Sequence, residues 1–136
     1  MEVTTNSAEE TKELAFKLAK NIKGGDIICL YGQLGSGKTT FVQGLVNGLG
    51  IKDKVQSPTF VVMRFYGKKL QVAHIDLYRL ESKEEVENLG LEEYFGNKDT
   101  VCVIEWPELL EDVLPSKTIR IRFDYLSKSK RKIKVI

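Results

Sequence analysis

The chain has 136 residues, of which 42% are hydrophobic and 29% are charged, and a formal net charge of +2. This length suits one domain with a real core, so residues 1–136 are predicted to form a single domain. The small net charge does not indicate a nucleic-acid binder. There is no membrane-spanning run and no signal-peptide pattern. Cys29 and Cys102 lie in apolar runs, which predicts buried thiols and a reducing, cytoplasmic location.

The first predicted helix begins at a capping box. Ser7 and Glu10 have the S-x-x-E spacing in which the two side chains cap the first turn. One face of the helix carries Thr11, Leu14, Ala15, Leu18 and Ile22. For Ser7 and Thr11, the residues alone favour capping and packing over ligand binding.

A phosphate-binding loop follows the first predicted strand, residues 26–31. Residues 32–39 match the template of a Gly, four free positions and Gly-Lys-Thr, and a predicted helix follows. In this context backbone N–H groups and the helix N-terminus favour phosphate. Lys38 is expected to reach the β- and γ-phosphates, and the Thr39 hydroxyl to bind Mg²⁺. The other residues expected around the phosphates are Gly35, Ser36, Gly37 and Thr40.

The segment after the second helix contains Ser57, Pro58, Thr59 and Phe60. Pro58 restricts one backbone angle and stiffens the connection. In nucleotide switches, a hydroxyl from this region often contacts Mg²⁺ or the γ-phosphate. A plain turn leading into a strand explains the same residues equally well.

Two strands, residues 60–66 and 69–76, are predicted to form an antiparallel pair. Alternation places His74 and Asp76 on the same face of the second strand. Its carboxyl end is where open α/β sheets bind ligands, so Asp76 is a candidate for the Mg²⁺ shell, with an ion pair to Arg79 as the alternative. For His74, the sequence favours a hydrogen-bonded structural histidine.

A continuous apolar strand, residues 100–104, ends at Glu105, which is the Walker B pattern. Glu105 is therefore expected to position the attacking water or to bind Mg²⁺. Trp106 follows directly, and stacking on a base or packing on the next helix fits it equally well. Pro107 is placed to begin a short helix.

Two strands with strict alternation, residues 118–125 and 131–136, end the chain. The second strand and the turn before it carry Lys128, Lys130, Arg131, Lys132 and Lys134. A solvated, charge-protected sheet edge is the favoured interpretation, with RNA or phosphate contact as the alternative.

These elements predict an α/β protein with a P-loop NTPase-like domain. A mixed, mostly parallel central sheet would carry antiparallel additions, and helices would cover both faces. Guanine-specific and dinucleotide-binding signatures are absent, so the expected ligands are ATP and Mg²⁺. A partner-coupled ATPase is the favoured function, because the short chain leaves little room for the acceptor pocket of a kinase. A small-molecule kinase is the alternative. A nucleotide-gated docking module is a third possibility.

Four ordered motifs carry a resemblance to a known family. They are residues 32–40, 57–60, 74–80 (HIDLYRL) and 105–108 (EWPE). This chain resembles the TsaE (YjeE) family, the ATPase component of bacterial tRNA threonylcarbamoyladenosine synthesis. The resemblance implies a cytoplasmic ATPase that acts with the TsaB–TsaD pair. That pair modifies adenosine next to the anticodon in tRNAs reading codons that begin with A, so contact with tRNA would be indirect.

The resemblance also implies roles for individual residues. Thr39 and Glu105 match the Mg²⁺ site, and Asp76 matches the acid important for hydrolysis. Trp106 matches a residue close to the nucleotide, and residues 57–60 match a switch-like segment. Two further regions that would contact the nucleotide are the stretch from Ser7 to Thr11 and a basic residue near Arg131.

Overall fold

A computed structural model describes residues 1–56 and 62–136. The strands are β1 (Glu2–Thr5), β2 (Ile27–Tyr31), β3 (Met63–Tyr66), β4 (Gln71–Asp76), β5 (Thr100–Glu105), β6 (Ile119–Tyr125) and β7 (Arg131–Val135). The helices are α1 (Ala8–Leu18), α2 (Lys38–Gly48) and α3 (Lys83–Glu87), with 3-10 turns at Ala19–Asn21, Leu91–Glu93 and Pro107–Leu110. Within the described ranges, no helix is long and apolar enough to cross a membrane.

The described strands form one mixed sheet in the order β1-β7-β6-β2-β5-β4-β3. The four neighbours β6, β2, β5 and β4 are parallel. Strands β1, β7 and β3 join them antiparallel. The predicted sheet, with a parallel centre and antiparallel additions, is confirmed. Because the central strands are parallel, their carboxyl ends meet at one end of the sheet, where ligands bind in such folds.

Each face of the sheet packs against its own helical layer. On β2, Ile28 and Leu30 join the core beneath α1 and α2, whereas Ile27 and Cys29 join the core beneath α3 and the two later 3-10 turns. This division follows from the two-residue period of a strand, which sends successive side chains to opposite faces. Helices therefore cover both faces, as predicted.

Two glycines bring α1 and α2 into close contact. A Cβ on Gly44 would lie 2.2 Å from the Lys12 carbonyl oxygen, and one on Gly48 would lie 2.7 Å from the Phe16 carbonyl oxygen. Position 12 thus faces 44 and position 16 faces 48, so the helices run in the same direction. Their N-termini therefore lie at the same end of the sheet, where the loop before α2 also lies.

The sequence prediction was wrong at one edge of the sheet. β7 is not the edge strand, because β1 pairs with it antiparallel and Val3 lies opposite Ile133. The prediction had no strand before the first helix. A salt bridge of 2.8 Å between Lys132 and Glu2 supports the pairing. Val and Thr favour a strand in β1, and β7 offers it unpaired backbone groups and a lysine opposite in charge to Glu2.

Candidate active site

The loop between β2 and α2 has the conformation that its glycines predict. Gly32, Gly35 and Gly37 have φ angles of 153°, 78° and 101°, which favour glycine over residues with a Cβ. A Cβ on Gly32 would also lie 2.6 Å from the Ser36 hydroxyl and 2.8 Å from the Phe123 carbonyl oxygen. The predicted order of strand, glycine loop and helix is confirmed, and any larger residue at Gly32 would push the loop away from β6.

Lys38 begins α2 and turns back into the loop. Only 4% of its surface is exposed, and Nζ donates a hydrogen bond of 2.6 Å to the Gly32 carbonyl oxygen. Burial lowers the pKa of the Lys38 ammonium, and the nearby carboxylates of Glu105 and Asp76 oppose this shift. The lysine therefore lies within the electrostatic reach of both predicted acids.

Asp76 and Glu105 are the last residues of β4 and β5 and lie side by side in the sheet. Backbone alternation directs both to the face that α2 covers, because Val72 and Val103 on the same face belong to that core. Burial raises the pKa of the Asp76 carboxyl, although a 2.9 Å hydrogen bond from the Tyr78 backbone N–H opposes the shift. Glu105 is buried, with 4% of its surface exposed. The structure thus brings the two candidate acids together at the end of the sheet that carries the loop lysine.

His74 is completely buried, and its Nε2 lies 2.5 Å from Oε2 of Glu105. The predicted hydrogen bond of a structural histidine is confirmed, but the sequence did not identify its partner. The Tyr66 ring lies 6.1 Å away from the imidazole, centre to centre. The second ring nitrogen, Nδ1, is buried and makes no hydrogen bond within the described residues.

Trp106 lies over the loop lysine, with Lys38 Nζ 3.8 Å from the centre of its ring. The Tyr78 ring packs 4.9 Å from it, centre to centre. Trp106 also packs against the core beneath α3, as the packing interpretation of this residue predicts. Stacking of Trp106 on a base stays a prediction. Tyr78 had no predicted role. Tyr78 follows Asp76 by two residues and lies beyond the carboxyl end of β4. This position in the sequence could have indicated that Tyr78 lies near the site.

Arg131 reaches the loop from the start of β7. Its Nη2 donates a 3.0 Å hydrogen bond to the Gly35 carbonyl oxygen, and Nη1 donates one of 2.6 Å to that of Ser127. The guanidinium also lies 4.5 Å from the centre of the Tyr125 ring. Arg131 Nε and the Ser36 hydroxyl are buried without a hydrogen-bond partner among the described residues. Buried polar atoms rarely lack partners, so this side of the loop suits a bound anion.

The N-terminal candidates have structural partners. The Ser7 hydroxyl caps α1 by accepting a 3.1 Å hydrogen bond from the Glu10 N–H. The Thr11 hydroxyl lies 2.7 Å from that of Thr5 and is buried. Capping and packing are thus confirmed for both. Nucleotide contact by Ser7 and Thr11 stays a prediction, compatible with the shared direction of α1 and α2.

Three further predictions concern hydroxyl groups and metal ions. Thr39 and Thr40 lie half-buried in the first turn of α2. The switch-like residues Ser57, Pro58, Thr59 and Phe60 lie outside the described residues. In the described ranges, no group of three or more His, Cys, Asp or Glu side chains could hold a metal ion. Binding of Mg²⁺ by Thr39 and Glu105 stays a prediction, and Mg²⁺ usually takes only one or two protein ligands and completes its shell with phosphates and waters.

Comparisons with known proteins agree with this geometry. The sequence model of a family described as "Threonylcarbamoyl adenosine biosynthesis protein TsaE" matches residues 5–133. A crystal structure of Bacillus subtilis YdiB superposes with a TM-score of 0.82 and 34% identity, covering 99% of this chain and 83% of that one. This likeness extends over the whole sheet and the loop.

Two relatives share the description "tRNA threonylcarbamoyladenosine biosynthesis protein TsaE". The protein of Bacillus subtilis (strain 168) is 45% identical over 118 residues, which are 86% of this chain and 73% of the relative. The protein of Treponema pallidum (strain Nichols) is 37% identical over 136 residues and covers 99% of both chains. The chain therefore belongs to the TsaE family of threonylcarbamoyl adenosine biosynthesis proteins.

Proposed function

We propose that this protein is a cytoplasmic, Mg²⁺-dependent ATPase that drives the catalytic cycle of the TsaB–TsaD pair in tRNA threonylcarbamoyladenosine modification. The observation that carries the proposal is the convergence of Lys38, Asp76 and Glu105 at one end of the sheet. A cation next to a glycine loop suits the β- and γ-phosphates, and two carboxylates beside it suit a water or a hydrated Mg²⁺.

Each residue would have a distinct part in hydrolysis. Lys38 would exchange its bond to the Gly32 carbonyl for phosphate oxygens and offset their charge. Glu105 and Thr39 would hold Mg²⁺, which would supply charge stabilisation at the phosphates when bound. Asp76 would orient the attacking water, because its raised pKa makes it a better proton acceptor than an ordinary aspartate. Arg131 would complete the anion site from the β7 side.

ATP affinity and hydrolysis, each measured with and without the TsaB–TsaD pair, test the proposal. Lys38→Ala is expected to weaken ATP binding about 10- to 100-fold, because a charged hydrogen bond to phosphate is lost. Lys117→Ala is the matched control, since Lys117 is exposed and precedes the amino end of β6, opposite the site. Unchanged ATP affinity in Lys38→Ala, or no stimulation by the partner pair, would refute the corresponding part of the proposal.

Two alternatives give different results in the same assays. A small-molecule kinase would release ADP in proportion to an added acceptor, so a substrate panel that yields only background hydrolysis removes it. A docking module without catalysis would need nucleotide binding alone. In that case Glu105→Gln would bind ATP normally and still support tRNA modification in cells that lack the wild-type protein.

A further inference from the structure

We propose that His74 is a positioning residue that fixes the carboxylate of Glu105 for its work at the nucleotide. This inference rests on the proposed nucleotide site and deepens it. It assigns a task to a side chain that neither the phosphate loop nor the Walker B pattern contains.

The sheet register brings the two side chains together. Glu105 lies directly beside Asp76, and His74 lies beside Val103, so His74 is the diagonal neighbour of Glu105 on the same face. Glu105 Oε2 lies 2.5 Å from His74 Nε2. When Glu105 is ionised, its carboxylate can only accept a hydrogen bond, and Nε2 is then the donor. Oε2 is thus the oxygen that binds His74, and Oε1 would be the oxygen that binds the water or Mg²⁺ at the loop.

Packing gives the imidazole little freedom to turn. His74 is completely buried, and the Tyr66 ring packs against it. The Tyr66 hydroxyl is itself fixed, because it donates a 3.0 Å hydrogen bond to the Gln56 carbonyl oxygen and accepts one of 3.2 Å from the Gln56 N–H. A rigid donor of this kind restricts the carboxylate rotamer that a free glutamate would sample.

Filling the space in the core does not account for a histidine at this position. Nδ1, the other ring nitrogen, is buried without a hydrogen-bond partner among the described residues. An apolar side chain of similar volume would avoid the cost of this unmatched atom, but it would leave the buried Glu105 carboxylate without its donor. The hydrogen bond to Glu105 is the feature of the imidazole that an apolar residue cannot replace.

Two amide substitutions separate positioning from packing. The side-chain N–H of His74→Gln reaches about as far as Nε2, whereas that of His74→Asn stops near the position of Nδ1. The two variants therefore differ in whether they can donate to Glu105. His74→Phe keeps the ring volume without any donor and serves as a third variant if His74→Asn does not fold.

Mn²⁺ binding in the presence of ADP, followed by electron paramagnetic resonance, gives a readout that is independent of turnover. We expect His74→Asn and His74→Phe to weaken Mn²⁺ binding about 10-fold or more and to lower kcat about 10- to 100-fold, with KM for ATP nearly unchanged. His74→Gln should retain most of both properties. Thermal unfolding of each variant shows whether a loss follows stability instead.

Two results would overturn the assignment. One is wild-type Mn²⁺ affinity and kcat in His74→Asn or His74→Phe. The other is an equal loss in His74→Gln and His74→Asn that follows their thermal stability. Failure of the proposed ATPase would be recognised separately, because the wild-type protein would then hydrolyse no ATP with or without the partner pair, while the Mn²⁺ titration would still test His74.

Discussion

The Lys38 ammonium lies 3.8 Å from the centre of the Trp106 indole ring. This contact joins the phosphate loop to the end of β5, because Trp106 directly follows Glu105. In the described part of the chain, Trp106 is the only residue other than glycine with a positive φ, 58°. Such a backbone conformation costs about 1–3 kcal/mol. The surrounding structure must therefore hold the indole in place over the lysine.

We predict that ATP binding changes the fluorescence of Trp106, the only tryptophan in the chain. Phosphate oxygens would draw the Lys38 ammonium away from the ring, so the charge beside the indole would change. A fluorescence titration should give the same dissociation constant as calorimetry. Adenosine, which lacks phosphate, is the comparison: a change of emission with ATP alone assigns the effect to the phosphates, whereas a change with adenosine as well assigns it to stacking of the base. Constant emission at saturating ATP would contradict the prediction.

Asp76→Asn is predicted to stabilise the protein at neutral pH while lowering ATP hydrolysis about 100-fold. Burial raises the folded-state pKa of Asp76 above its unfolded value. The folded state therefore binds more protons between those two values, and the ionised carboxylate destabilises it at higher pH. The gain from the substitution should disappear as pH falls through the folded pKa. The substituted amide keeps an oxygen for the Tyr78 N–H.

Urea unfolding of wild type and Asp76→Asn at a series of pH values measures this difference. Asp112→Asn is the control of opposite sign, because the exposed Lys83 ammonium lowers the pKa of Asp112. Its substitution should remove a small stabilisation that is present at neutral pH and lost as pH falls. If Asp76→Asn lowers the free energy of unfolding at pH 7, the assigned direction is wrong.

Gly44→Ala is predicted to lower the free energy of unfolding by about 2 kcal/mol. The added Cβ would lie 2.2 Å from the Lys12 carbonyl oxygen, which is backbone and cannot rotate away. The higher helix propensity of alanine, worth about 1 kcal/mol, offsets only part of this overpacking. Asn47→Ala, at an exposed position of α2, is the control and should change stability by less than about 0.5 kcal/mol. Equal stability of the two variants would exclude the close contact.

Cys29 and Cys102 are predicted to be unreactive toward a thiol reagent at pH 8 in the folded protein. Both are completely buried, and burial raises the pKa of each thiol to about 12. The thiolate is the reactive form, so both inaccessibility and a high pKa oppose labelling. Two thiols should react in urea. A thiol that reacts at the rate of free cysteine before unfolding would contradict the burial.

Local sequence patterns predicted most elements near the site. The glycines of the phosphate loop, the Ser7 cap and the apolar strand before Glu105 each specify their conformation within a few residues. Alternation also placed His74 and Asp76 on one face of β4. These predictions succeeded because backbone sterics, capping and strand period act over short distances.

Local sequence patterns did not predict β1 or the hydrogen bond between His74 and Glu105. β1 pairs with β7, about 130 residues later, and its four residues do not indicate that partner. His74 and Glu105 are 31 positions apart. The sequence therefore determined the phosphate loop, the acids and the family, because these depend on local motifs. The tertiary structure alone decided which side chains meet, because contacts across a sheet depend on strand order and register.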